Sequence, residues 1–298
     1  MIEFWRRKGR RLIEGGAECL VNAVGWNKRV RRTMLRKLCS AYLPPTSLGF
    51  AAFEDHGFFV SLGDQTIGYE LLSGKPWQRD ILLSVVALLE GEGCLKPGGR
   101  FLDVGANIGS QTVYALLSGR FAGGVAIEAE PGNFQLLTRN ITYNNFSEVV
   151  AVRHAAACAV PGAVRLRINR RNGGGHSIHP GRNRSASEVV DVDGDTVDHI
   201  LADVGAVPSE VSLAWIDVEG LELDVLAGMG GVRGASVPIL FEYSGELHGA
   251  EDWVRLRAML ARTYTHVALI GTGTDQRLHK LENFAAPRRQ VDILVCRP

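Results

Sequence analysis

The 298-residue chain has no long apolar run, and none of its hydrophobic stretches approaches the roughly 20 residues that a membrane-spanning helix needs. Cysteine is scarce and scattered: Cys19, Cys39, Cys94, Cys158 and Cys296 are odd in number and form no C-x-x-C or Cys/His cluster. That argues against a disulfide framework and a structural zinc site, and it fits a reduced, cytoplasmic setting. Internal repeats and low-complexity tracts are absent. The opening "MIEFWRRKGRRLIEGG" has early basic residues but lacks the long apolar core and cleavage site of a secretory signal, so it reads as a poor signal peptide. What remains is an ordinary globular composition, 46% hydrophobic and 22% charged. It is enough for one domain of about 200–250 residues plus an accessory segment.

The formal charge of +1 hides an asymmetry. Residues 1–40 carry eleven Lys/Arg against three acids, a net of +8, and the rest of the chain is −7. This basic arm admits three readings: peripheral contact with an anionic membrane on its inner face, nucleic-acid binding, or a solvated helical extension packed on the core or a partner. No nucleic-acid module accompanies it, so no nucleic-acid partner is expected.

From about Gly99 onward, short β-like runs alternate with amphipathic stretches. The strands are "RFLDV", "GVAIEAE", "VVAVRHAAA", "VVDV", "LAWIDV", "VPILFEY", "THVALI" and "VDILVC". Helical patterns fill most of the intervals, and a Gly- and Arg-rich insertion spans about residues 164–187. Continuous apolar strands separated by helices predict an α/β fold with a doubly wound, mostly parallel sheet covered on both faces. Residues 1–80 read as a helical, basic N-terminal extension in which "GFFVSLGDQTIGYELL" forms a short hairpin. Residues 81–298 read as the main domain, entered through the amphipathic "PWQRDILLSVVALLEGEG".

The stretch "FLDVGANIGSQT" sets the chemistry: a strand ends in Asp103, and Gly105, Ala106, Asn107 and Gly109 follow as a loop into a helix. A dinucleotide site wants a third glycine in a G-x-G-x-x-G spacing, which is missing here. The loop also has no Lys or Arg between Asp103 and Arg120, so a phosphate lacks a partner. An acid, an amide and two glycines suit S-adenosylmethionine, with its ammonium, carboxylate and sulfonium and no phosphate. Glu128 and Glu130, at the end of the second strand, supply carboxylates for ribose hydroxyls.

The residues "FLDVGANIGSQT", "EAEPGNFQLLTRNITYNN", "TVDHIL" and "LAWIDVEGLELDVLAGM", over about residues 75–245, resemble the FkbM-type S-adenosylmethionine-dependent methyltransferases. The resemblance implies a seven-stranded Rossmann-like sheet whose last strand is antiparallel. It also implies O-methylation of a hydroxyl on a sugar, glycolipid or related natural product. Carried over, Asp103, Gly105, Ala106, Asn107 and Gly109 form the cofactor loop, and Glu130 holds the ribose with Glu128 as its neighbour. Asn140 is a lining residue or a satisfied surface amide, Ala156 lies near the adenine, and Asp217 faces the methionine end or the acceptor. Family members often carry Lys two residues before that Asp, where this chain has Trp215, which reads as core.

Methyl transfer to a hydroxyl needs alignment and a base. Asp217 ranks first as catalytic residue and Glu219 second, with His176 of "RRNGGGHSIHP" next; Glu222 and Glu242 are further candidates. No metal is expected. The partner is a small-molecule, glycan or glycolipid acceptor, and the sequence assigns no oligomeric state. Two competing readings are a nicotinamide-dependent oxidoreductase, which the missing glycine and the lack of a Tyr-x-x-x-Lys pair disfavour, and a non-catalytic cofactor-binding partner.

Overall fold

A computed structural model describes residues 47–169, 188–246, 249–271 and 276–298. The basic arm over 1–40 and His176 lie outside the described residues. The chain enters through a hairpin, β1 (Leu48–Ala52) and β2 (Gly57–Ser61), then α1 (Ile67–Leu72) and α2 (Arg79–Gly91). The core follows as β3 (Arg100–Val104), α3 (Ser110–Leu117), β4 (Gly123–Glu128), α4 (Pro131–Tyr143), β5 (Val150–His154), β6 (Ala156–Ala157), β7 (Gly162–Arg167) and β8 (Val189–Asp195). The remainder is α5 (Val197–Asp203), β9 (Val211–Ile216), α6 (Glu222–Ala227), α7 (Gly230–Gly234), β10 (Ile239–Ser244), α8 (Ala250–Leu260), β11 (His266–Ile270), β12 (His279–Lys280) and β13 (Gln290–Cys296).

The main sheet runs β12-β11-β13-β10-β9-β3-β4-β5. Its central pairings are parallel, and β13 is antiparallel to both β10 and β11. It is the expected doubly wound sheet of seven strands, extended by the two-residue β12 at one edge. Strand order reverses between β3 and β9, the position at which such sheets bind ligands beyond their carboxyl ends. Among the described residues no helix is long and apolar enough to cross a membrane.

Period-two alternation assigns side chains to the two faces. Phe101, Leu213 and Trp215 join α2, α3 and α4 on one side. Leu102, Val104, Ala214 and Ile216 join α5, α6, α7 and α8 on the other. Each large side chain sealed in these layers contributes about 1.5–3 kcal/mol relative to exposure. Helix α4 shows how local sequence sets a boundary. Glu130 caps its start by accepting from the Asn133 N–H, Pro131 occupies the first helical position, and Asn145 (φ 62°) ends it in the left-handed region.

Three expectations need correction. The hairpin pairs "LGFAA" with "GFFVS", while "IGYELL" is helical because its apolar residues repeat at helical spacing. The run "VVAVRHAAA" breaks at Ala155: β5 ends the main sheet, and β6 pairs with β8 in a separate three-stranded sheet β6-β8-β7. The start of the presumed irregular insertion is β7, antiparallel to β8.

Candidate functional site

The loop between β3 and α3 is held in a tight form by its own backbone. The Gly105 and Ala106 N–H groups both donate to the Ile127 carbonyl at 2.9 Å, and the Gly109 N–H to Ala106 O at 2.8 Å. Gly105 (φ 82°), Asn107 (φ 53°) and Gly109 (φ 86°) adopt left-handed conformations. A Cβ on Gly105 would fall 1.9 Å from the Asp217 carbonyl oxygen, so glycine there is a steric requirement. The Asp217 N–H in turn donates to Val104 O at 2.9 Å, joining the loop to the turn after β9.

Asp103 shares the face of Phe101 and points at α3, where the Thr112 hydroxyl donates to it at 2.5 Å. It is 1% exposed, and burial raises its carboxyl to about 7. Thr112, three residues into the helix, is the partner that sequence reading missed.

The two acids after β4 differ sharply. Glu128 ends the strand, is buried, and accepts the Asn107 N–H at 2.8 Å and the Glu130 N–H at 2.7 Å. Desolvation raises its carboxyl to about 7, against the pull of those two donors. Glu130 lies beyond the strand with its carboxylate on the Asn133 N–H at 2.5 Å, where it caps α4. The acid touching the loop is therefore Glu128.

Strand β9 ends at Ile216, so Asp217 begins a turn and does not continue a strand. Glu219 (φ 52°) and Gly220 (φ 96°) make the exit, and the Glu222 carboxylate accepts the Gly220 N–H at 3.0 Å. Strand alternation therefore does not carry Asp217 and Glu219 onto one side. Burial raises Asp217 well above the usual carboxylate range, and the charges of Glu242, Glu222, Asp292 and Asp103 add to the effect. Glu242 faces Asp292 in the β10–β13 register and accepts from Gln290 Nε2. Burial and then Glu242 raise Asp292 to about 6. Sequence reading passed over Asp292. An antiparallel last strand places its first residues, not its last, at this edge.

Asp103, Glu128, Asp217, Glu242 and Asp292 thus lie on strands or turns along one edge of the sheet. Trp215 is 4% exposed and belongs to the core. Ala156 is buried and pairs with Gly194 in the second sheet. Asn140 is fully buried and bonded to Phe59 and Ile108, so it is not a surface amide. Among the described residues no group of three or more His, Cys, Asp or Glu is disposed to hold a metal ion.

In comparisons with known proteins, the profile of the Methyltransferase FkbM domain matches residues 103–265. No curated protein matches the sequence. Among solved structures, similarity is found to Methyltransferase FkbM from Methylobacillus flagellatus KT, at 17% identity and TM-score 0.44, over 89% of this chain and 59% of that one. The chain therefore spans well under two thirds of that protein. A precorrin-6y methyltransferase from Geobacter metallireducens is similar at 13% identity and TM-score 0.40, over 74% of this chain and 87% of that one. So is P. horikoshii TYW2 in complex with MeSAdo, at 11% identity and TM-score 0.40, over 91% of this chain and 84% of that one.

Proposed function

The chain belongs to the family of the Methyltransferase FkbM domain, which matches more than half its length, and on that footing we propose that it is an S-adenosylmethionine-dependent O-methyltransferase acting on a hydroxyl of a carbohydrate, glycolipid or related natural product. The observation that carries this reading is the chemistry of the donor set. Buried carboxylates gather at the sheet edge around a loop with no Lys or Arg. Such a site suits an adenosyl cation, and the loop offers a phosphate no cationic side chain.

Bound adenosylmethionine supplies an electrophilic methyl group on a sulfonium. The chain's residues do the rest. Gly105 and Gly109, left-handed and without side chains, let the loop pack against the Asp217 carbonyl and Leu137 and so hold its shape. Glu128 is the residue we assign to the ribose hydroxyls. Its oxygens keep spare acceptor capacity beyond the Asn107 and Glu130 N–H groups. Glu130 supports it from the helix start. Asp103, locked on Thr112, contributes negative charge beneath the loop. Ala156, small and buried, is the residue we keep for the neighbourhood of the adenine.

Asp217 is the residue we assign as general base. A carboxylate whose affinity for protons is raised by burial and by neighbouring acids suits the removal of a proton from a weakly acidic hydroxyl. A cationic ligand beside it would draw it back toward the ionised form before the proton is taken.

Calorimetry with adenosylmethionine and with NAD(H), followed by a mass-spectrometric screen of glycans and glycolipids for an added methyl group, tests the proposal. Binding of the adenosyl ligand alone and a methylated acceptor are the expected results. Tight NAD(H) binding without adenosylmethionine binding would overturn it.

A further inference from the structure

Strand β2 is completed along one side by a helix. Asn140 of α4 accepts the Phe59 N–H on Oδ1 at 2.7 Å and returns a bond from Nδ2 to the Phe59 carbonyl at 3.1 Å. One helical turn later Asn144 repeats the pattern, accepting the Gly57 N–H at 3.1 Å and donating to the Gly57 carbonyl at 2.9 Å. The spacing matches because four helical residues rise about 6 Å and two strand residues about 6.6 Å. Two side-chain amides thus act as the neighbouring strand.

The second Nδ2 proton separates the two residues. In Asn144 it goes to its own helix, at the Asn140 carbonyl, 2.7 Å away. In Asn140 it goes to the Ile108 carbonyl at 2.8 Å, inside the loop and between left-handed Asn107 and Gly109. One buried carboxamide therefore grips strand β2 and the loop at once. Asn140 is 0% exposed, so water cannot replace a lost bond there.

We propose that Asn140 is a positioning residue. It fixes the loop through Ile108 and thereby couples the β1–β2 hairpin to the affinity of the adenosyl ligand. This rests on the reading of the loop as an adenosylmethionine site. Because coupling between sites is reciprocal, the ligand must also tighten the hairpin.

Asn140→Asp keeps an acceptor for the Phe59 N–H but sets a carboxylate against the Phe59 and Ile108 carbonyls. Asn144→Asp does the same at Gly57 without touching the loop. Adenosylhomocysteine is the probe. We expect Asn140→Asp to weaken its binding about 10-fold or more and to raise the KM for adenosylmethionine with kcat at saturation little changed. Asn144→Asp should bind it within about 2-fold of wild type. Amide exchange followed by NMR in the unaltered protein gives a second readout that survives a folding failure: saturating adenosylhomocysteine should slow the Phe59 amide. Equal losses in the two variants, wild-type binding in Asn140→Asp, or a Phe59 amide indifferent to ligand would each overturn the coupling. If unaltered protein does not bind adenosylhomocysteine at all, the adenosyl reading of the loop fails, and this inference falls with it.

Discussion

Gly105 and Asp217 touch backbone to backbone across the point where the sheet reverses its strand order. There is no room for a methyl group between the Gly105 Cα and the Asp217 carbonyl. Gly105→Ala meets both this contact and a φ of 82°, and is expected to destabilise the fold by about 2–3 kcal/mol. Gly109→Ala has a similar φ, but its nearest obstacle is the movable end of Leu137, so about 1 kcal/mol is expected. Denaturant unfolding of both variants checks the order. A Gly105→Ala protein as stable as wild type would refute the packing described.

The two acids after β4 are expected to separate in their effects, because Glu128 bonds the loop and Glu130 caps α4. Glu128→Gln leaves the size of the side chain but removes the charge that accepts the Asn107 N–H. It should weaken adenosylhomocysteine binding by about 1–3 kcal/mol. Glu130→Gln should act mainly on the start of α4, lowering stability by about 0.5–1 kcal/mol with a smaller effect on affinity. Calorimetry paired with unfolding measurements distinguishes them, and the reverse ranking would return the ribose to Glu130.

Affinity should depend on pH. Burial raises Asp103 and Glu128 to about 7, so both are largely protonated at pH 5.5 and ionised at pH 8.5. The adenosylmethionine sulfonium prefers ionised carboxylates, so adenosylmethionine affinity should climb as pH rises through about 7 and level above it. Fold stability moves the other way. These groups bind protons more tightly folded than unfolded, so their contribution declines between about pH 4, the unfolded carboxyl range, and about pH 7. Calorimetry across pH 5.5–8.5 tests the first part; a flat profile would mean that the site acids do not ionise on binding.

Asp217→Asn should lower turnover by about 10²- to 10⁴-fold with the cofactor still bound. Glu219→Gln, on the far side of a turn with φ 52°, should retain most activity. Single-turnover rates at saturating adenosylmethionine make the comparison, and full activity in Asp217→Asn would move the base to Glu242 or Asp292.

The mostly parallel α/β class, the loop and most core strands were legible because each rests on short-range pattern: apolar runs, glycine spacing and an acid at a strand end. The partners of the site acids were not. Thr112 meets Asp103 through a helix orientation that no spacing reveals, and Asp292 reaches the edge only once the last strand is paired antiparallel to β10. Glu130 drew attention because it precedes proline, yet that same proline marks it as a helix cap. The bond between Asn140 and Phe59 spans 81 residues and depends on a hairpin outside the alternating region. Nothing local in the sequence announces it.

The break at Ala155 has a consequence for how such a protein can diversify. Within one residue the backbone leaves the main sheet, anchored by the Ala155 N–H on the Glu128 carbonyl at 3.1 Å, and re-pairs in the β6-β8-β7 sheet. Strands β7 and β8 register against each other and not against the eight-stranded sheet. A change of chain length between β7 and β8 is therefore expected to leave the strand pairings of the main sheet unshifted. Each doubling of such a connection adds only about 0.6 kcal/mol of closure entropy. The β7–β8 connection is thus a position at which chain length can change while the main sheet keeps its register.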